Sequence, residues 1–121
     1  MKKVAWRRRI KQACESAGTY REFFDPVIDT LADILERRDD AKEQFKQTGG
    51  KTVVVHTNKG GATNLVKNPA IVVIDELNKT ALQYWRDLGL TPAGLKRIDE
   101  EAMHKQKKET SFADVLGNLG I

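Results

Sequence analysis

The stretch Asn68-Pro69-Ala70-Ile71-Val72-Val73-Ile74-Asp75-Glu76-Leu77-Asn78-Lys79-Thr80-Ala81-Leu82-Gln83-Tyr84-Trp85-Arg86-Asp87-Leu88-Gly89-Leu90-Thr91-Pro92 holds one complete helix with both ends, and the start of another. Asn68 is a good cap, because its side chain can accept from a free amide of the first turn. Pro69 fits a first helical position, where no amide is needed. Inside, Ile71, Ile74, Leu77, Ala81, Trp85 and Leu88 recur at helical spacing on one face, with Val73 and Tyr84 beside it. Val72 widens that surface, so more than one neighbour can pack on it. Gly89 closes the helix. Thr91 with Pro92 repeats the cap-and-proline signal for a last helix, expected to run through about Lys108.

Working outward toward the N-terminus, Thr52 to His56 is β-branched and extended in character, Asn58 to Gly61 is turn chemistry, and Ala62 to Val66 returns as a second short strand. A β-hairpin or extended arm is expected near residues 51–67. Before it, Asp25 and Pro26 open a long helix in which Val27, Ile28, Leu31, Ile34 and Leu35 form an apolar stripe. Asp29, Asp33, Glu36 and Asp40 lie largely elsewhere on the wheel. That helix runs out at Thr48, Gly49 and Gly50. Earlier still, Val4 to Ala17 reads as a short helix with Val4, Ala5, Ile10, Ala13 and Cys14 as its apolar positions, stopped by Gly18, after which Thr19 can cap a new turn. At the other end, Thr110 to Ile121 reads as a separate segment. Ser111 with Asp114 resembles a capping box, and Phe112, Val115, Leu116 and Leu119 make a small stripe. The fold class is mainly all-α, with a short β-hairpin or extended arm inserted in the middle.

The chain has 121 residues, the size of one domain, with 40% hydrophobic and 31% charged residues, which places it among soluble globular proteins. A helical chain of this length buries only a modest core, and oligomerisation would supply the missing burial. Cys14 is the one cysteine, which excludes an intramolecular disulfide and fits a reducing compartment. No apolar run approaches the roughly 20 residues needed to span a bilayer, so a soluble, cytoplasmic protein with no membrane partner is expected.

The net charge of +4 is unevenly spread. Lys2, Lys3, Arg7, Arg8, Arg9 and Lys11 have no acid among them. From Arg21 to Lys46, eight acids (Glu22, Asp25, Asp29, Asp33, Glu36, Asp39, Asp40 and Glu43) face only five bases. A basic end precedes an acidic body.

Enzyme chemistry finds no footing in this sequence. Gly50, Lys51 and Thr52 look like the end of a phosphate-binding loop, but Phe45 stands where that motif needs glycine. Gly60 and Gly61 lack the third glycine of a dinucleotide fingerprint and read as a turn. Cys14, His56 and His104 have no ligand-like spacing, so no metal and no cofactor are expected. Neither Ser16, Cys14 nor Ser111 carries a local signature of an activated nucleophile. The acids between Asp29 and Asp40 read as a solvated helix face.

Binding of DNA without chemistry needs cations that neutralise phosphates, and Lys2, Lys3, Arg7, Arg8, Arg9 and Lys11 offer them at close range. Trp6 can stack on a base or pack on an arginine stem. The same helix also reads as a solubilising surface with Trp6 anchoring it to the core. Lys51, Lys59 and Lys67 form a second acid-free cationic region in the arm. Such an arm can follow a nucleic-acid backbone or pair with a neighbouring subunit's sheet.

One block carries a resemblance. His56-Thr57-Asn58-Lys59-Gly60-Gly61-Ala62-Thr63-Asn64, then Lys67-Asn68-Pro69, then Tyr84-Trp85-Arg86-Asp87-Leu88-Gly89-Leu90-Thr91-Pro92-Ala93-Gly94-Leu95 closely resembles the small-subunit family of phage terminases. Gly18-Thr19-Tyr20 and Leu35-Glu36-Arg37-Arg38-Asp39 also look family-like, so the resemblance spans about Gly18 to Ile98. It implies a non-catalytic subunit that forms a homo-oligomer, commonly a ring. Such a subunit binds double-stranded viral DNA in the host cytoplasm and delivers it to a large subunit holding the ATPase and nuclease. It also implies an oligomerisation core over 19–109, flanked by a basic helix at 1–18 and a tail at 110–121. Under that reading Ile71, Val72, Val73, Ile74 and Trp85 meet a neighbouring subunit, with an ordinary core as the alternative. Phe112, Val115 and Leu116 either dock on the large subunit or fold back on the chain's own helices. The alternative is a dimeric helical DNA-binding regulator built on the helix pair around Gly18.

Overall fold

A computed structural model describes the backbone of residues 1–118 and the side chains of 1–108, 116 and 117. Helix α1 spans Lys3–Ala17. A 3-10 turn at Glu22–Phe24 leads into α2, Asp25–Gln47. Strands β1 (Val53–Thr57) and β2 (Thr63–Lys67) form an antiparallel hairpin, and α3 (Pro69–Asp87) and α4 (Pro92–Asn118) follow. The mainly all-α class with a hairpin inserted between helices is the one the sequence implies.

Helix α2 is the centre. Its Ile28, Leu31, Ala32, Ile34 and Leu35 are buried, a stripe wide enough to take α1 on one side and α3 on the other. From α1 come Ile10 and Cys14, both with no exposed surface, and from the α3 end come Ala81 and Leu88. Trp6, Tyr20, Phe24, Val27, Leu77, Tyr84, Trp85 and Leu90 close the rim of this core.

Helix α1 ends where Gly18 takes the left-handed conformation, φ 73°. Its turn brings the amides of Thr19 and Tyr20 back to the carbonyl of Cys14, at 2.9 and 3.2 Å. Thr19 therefore caps no new turn. It is buried, with its hydroxyl donating to the same carbonyl at 3.5 Å, because the left-handed turn folds it under α1.

The hairpin register pairs Val53 with Lys67, Val54 with Val66, Val55 with Leu65, His56 with Asn64, and Thr57 with Thr63. Side chains alternate, so Val53, Val55, Thr57, Thr63, Leu65 and Lys67 share one face, and Val54, His56, Asn64 and Val66 the other. At the tip the Asn58 carboxamide oxygen accepts from the amides of Gly60 and Ala62, at 2.9 and 3.0 Å. At the base, buried Asn68 does two jobs. Its oxygen accepts from Ala70 N at 3.0 Å, capping α3, and its Nδ2 donates to Lys51 O at 2.8 Å, tying the entry of the hairpin to its exit. Replacing Asn68 by Ala is expected to cost about 0.5–2 kcal/mol through the cap. Amide exchange should speed up at Ala70 and along both strands, and an unchanged exchange pattern would refute the tie.

Between α3 and α4, Gly89 (φ 75°) turns the chain, and the Thr91 hydroxyl accepts from Gly94 N at 3.1 Å. A single helix then runs to Asn118, so the expected stop near Lys108 and new start at Ser111 are not present. No glycine or proline stands between Gly94 and Gly117, and the residues beyond Ile98 are mostly good helix formers. Residues 99–108 are all exposed, which makes this part of α4 a projection from the body.

Candidate nucleic-acid interface

The basic N-terminal segment divides into two groups once α1 lies on α2. Lys3 Nζ sits 3.2 Å from both Asp29 and Asp33, Arg7 Nε is 3.5 Å from Asp29, and the Lys3 backbone amide donates to Glu36. Hydrogen bonds that it donates to Asp33 and Asp29 hold the Lys3 ammonium above its ordinary pKa. Lys3 and Arg7 are thus engaged within the subunit. Lys2, Arg8, Arg9 and Lys11 are exposed, and none forms an ion pair among the described residues.

Trp6 is the pivot of this contact. Its indole N–H donates to Asp39 at 2.7 Å, and the guanidinium groups of Arg38 and Arg9 lie 5.5 and 5.7 Å from its ring centroid. Arg38 also donates to Asn78 on α3 at 3.3 Å and to Asp39 at 3.2 Å, so one side chain touches all three packed helices. Burial opposes the charge on Asp39, yet hydrogen bonds from Trp6, the amino terminus and Arg38 outweigh it and hold the carboxyl below its usual range. A carboxylate with a depressed folded pKa stabilises above its unfolded value and loses that contribution as pH falls through the folded one. Below about pH 4 the α1–α2 contact is expected to weaken in the native chain. Asp39→Asn should flatten acid unfolding in that window, read by tryptophan fluorescence, and superimposable pH profiles would refute the role.

In the arm, Lys51 and Lys59 are exposed without an ion pair among the described residues, while Lys67 Nζ lies 3.3 Å from Asp75 in the second turn of α3. No acid occurs between Glu43 and Asp75, so the whole arm is cationic. The structure therefore does not gather all nine candidate phosphate ligands. Six make no ion pair among the described residues, and Lys3, Arg7 and Lys67 are tied to acids of their own chain.

The apolar candidates also divide. Val72 and Val73 are exposed, Ile71 and Ile74 are half-buried, and Trp85 packs against the core of its own subunit. Sequence reasoning missed Leu82 on α3 and the aliphatic face of the hairpin, where Val55 is 66% and Leu65 76% exposed. Val53, Val54 and Val55 are apolar in succession, so the sequence shows no alternation there, and only the strand pairing sets Leu65 beside Val55 on one face. Phe112 and Val115 lie outside the described residues, and Leu116 is half-buried.

Among the described residues, no group of three or more His, Cys, Asp and Glu side chains could hold a metal ion. No described helix is long and apolar enough to cross a membrane.

No curated protein and no solved structure matches this chain. The family model described as "Phage terminase, small subunit" matches residues 3–105, which takes in α1, α2, the arm, α3 and the first half of α4. The chain therefore belongs to the small-subunit family of phage terminases and has its role in phage DNA packaging.

Proposed function

We propose that this subunit assembles with copies of itself, binds double-stranded viral DNA in the host cytoplasm, and hands it to the large ATPase and nuclease subunit without catalysing a step. The observation that carries the DNA contact is the division of charge. Acids of α2 pair with Lys3 and Arg7 of α1 and leave Lys2, Arg8, Arg9 and Lys11 exposed with no acid partner among the described residues, Lys11 lying 5.0 Å from the Tyr20 ring, and Lys51 and Lys59 stand on the acid-free arm. Exposed Val72, Val73 and Leu82, with Val53, Val55 and Leu65 of the hairpin, are the apolar surface for a neighbouring copy. Head-to-tail use of such patches closes into a ring. The projecting half of α4, with Leu116, is the segment offered to the large subunit.

A dimeric helical regulator has less support. The helix following the Gly18 turn would have to enter a DNA groove, and α2 carries the exposed acids Asp40 and Glu43.

Point substitutions test the charge division better than a truncation, because Ile10 belongs to the core. Arg8→Gln and Lys11→Gln should each reduce the slope of log affinity against log salt by about 0.9 on duplex DNA. Lys3→Gln should instead loosen α1 and leave the slope near the native value. Equal slopes in all variants would remove α1 from the DNA contact. A strict monomer by light scattering, with no binding to the large subunit, would sink the adaptor reading itself.

A further inference from the structure

We propose that the hairpin is a groove-reading ribbon in which His56 and Asn64 contact base edges, so that sequence preference resides in the arm and bulk affinity in the cations. This inference rests on the DNA-binding reading above and deepens it. Four observations support it.

The register sets His56 directly opposite Asn64 on one face, toward the distal end of the ribbon. Both are exposed, and neither side chain makes a hydrogen bond or ion pair among the described residues. An asparagine carboxamide offers a donor and an acceptor side by side, matching N7 and N6 of adenine in the major groove, and an imidazole N–H matches the acceptors of guanine.

The ribbon also has suitable dimensions. Its strands lie about 4.8 Å apart, and a two-stranded ribbon enters a major groove about 12 Å wide. The same groove of an RNA duplex is too narrow for side chains to read. The tip is small, since Asn58 folds its own carboxamide onto the amides of Gly60 and Ala62, and Lys59 is the one long side chain there.

Charge fits as well. The residues between Glu43 and Asp75 include Lys46, Lys51, Lys59 and Lys67 and no acid to repel phosphate. The ribbon is also held in direction at its base. Asn68 ties Lys51 to the first turn of α3, and Lys67 is paired with Asp75. A reading pair on a supported element keeps its geometry on binding.

The test uses the full chain. A pool of DNA duplexes with a randomised centre is selected on the native protein, and the selected duplex and a shuffled one are then titrated over a range of salt. The native chain is expected to prefer the selected duplex. His56→Ala and Asn64→Ala should each lower that preference by roughly 5- to 150-fold for each base edge left unread. Neither should alter affinity for the shuffled duplex or the salt slope. Lys59→Gln should weaken both duplexes equally and flatten the slope by about 0.9.

A double His56→Ala/Asn64→Ala variant that keeps the native preference would overturn the inference, as would a selection that yields no preferred sequence. The same double variant changing the mass of the assembly, with preference intact, would assign the face to a neighbouring subunit instead. A native chain that binds no duplex at any salt would bring down the DNA-binding reading together with this one.

Discussion

Leu31→Ala is expected to destabilise the subunit by about 2–5 kcal/mol and to lower its melting temperature by on the order of 10 °C or more. Leu31 has no exposed surface and lies on the α2 stripe that receives both α1 and α3. Removing its isobutyl group forfeits the transfer energy and leaves a void that helices held on two sides cannot readily close. Since small domains are stable by only about 5–15 kcal/mol in all, this one change removes a large part of the total. The melt should be run at fixed protein concentration, because self-association adds to apparent stability. Leu82→Ala is the matched control. That side chain is 60% exposed, so its loss should shift the subunit by less than about 0.5 kcal/mol and act on assembly instead. Equal effects of the two substitutions would mean that the core is wrongly placed.

Gly94→Ala is expected to cost about 1–3 kcal/mol by a different route, overlap in place of a void. A Cβ at this position would stand 2.1 Å from the carbonyl oxygen of Arg86, which is backbone and cannot rotate away. The α3–α4 corner must open to admit the methyl group, and the projecting half of α4 would swing with it. Gly117 lies in the same helix with nothing within 4 Å of its Cβ position, so Gly117→Ala should be neutral or stabilising by up to about 1 kcal/mol. Urea unfolding of the two variants measures the difference. Equal stabilities would contradict the close approach at Gly94. Binding of Gly94→Ala to the large subunit would then show whether the direction of α4 matters for the hand-over.

Much of the backbone was readable residue by residue because its signals are local. Asn68-Pro69, Gly18, Gly89 and Thr91-Pro92 act through bonds to neighbours a few positions away, and each marks a boundary in the structure. Ser111 misleads because a capping pattern inside a run of helix formers has no stop before it, so α4 passes through. Thr19 misleads for a related reason. Its hydroxyl is equally able to start a turn or satisfy the preceding carbonyl, and the burial under α1 selects the second.

The candidate interface was legible as a set of charges and not as a surface. Lys3 and Arg8 are alike in composition and both lie in the basic run. Only the packing of α1 on α2, with Asp29 and Asp33 far along the chain, makes one a structural ion-pair partner and leaves the other free of acids. The Val72–Val73 surface is similar. Helical spacing showed that it was wide, but which part of α3 faces α2 and which faces outward depends on where α2 lies.

By itself the sequence determined the helices and hairpin up to α4, the ends marked by Gly18, Asn68-Pro69, Gly89 and Thr91-Pro92, the amphipathic stripes, the acid-free arm and the block of residues that resembles the terminase family. Tertiary structure alone decided which cations remain available, that the hairpin separates an aliphatic face from one carrying His56 and Asn64, and how far α4 projects. The physical reason is range. Caps and periodicity act over one or two turns, whereas neutralisation and burial depend on groups brought together from distant parts of the chain, and no local pattern records those pairings.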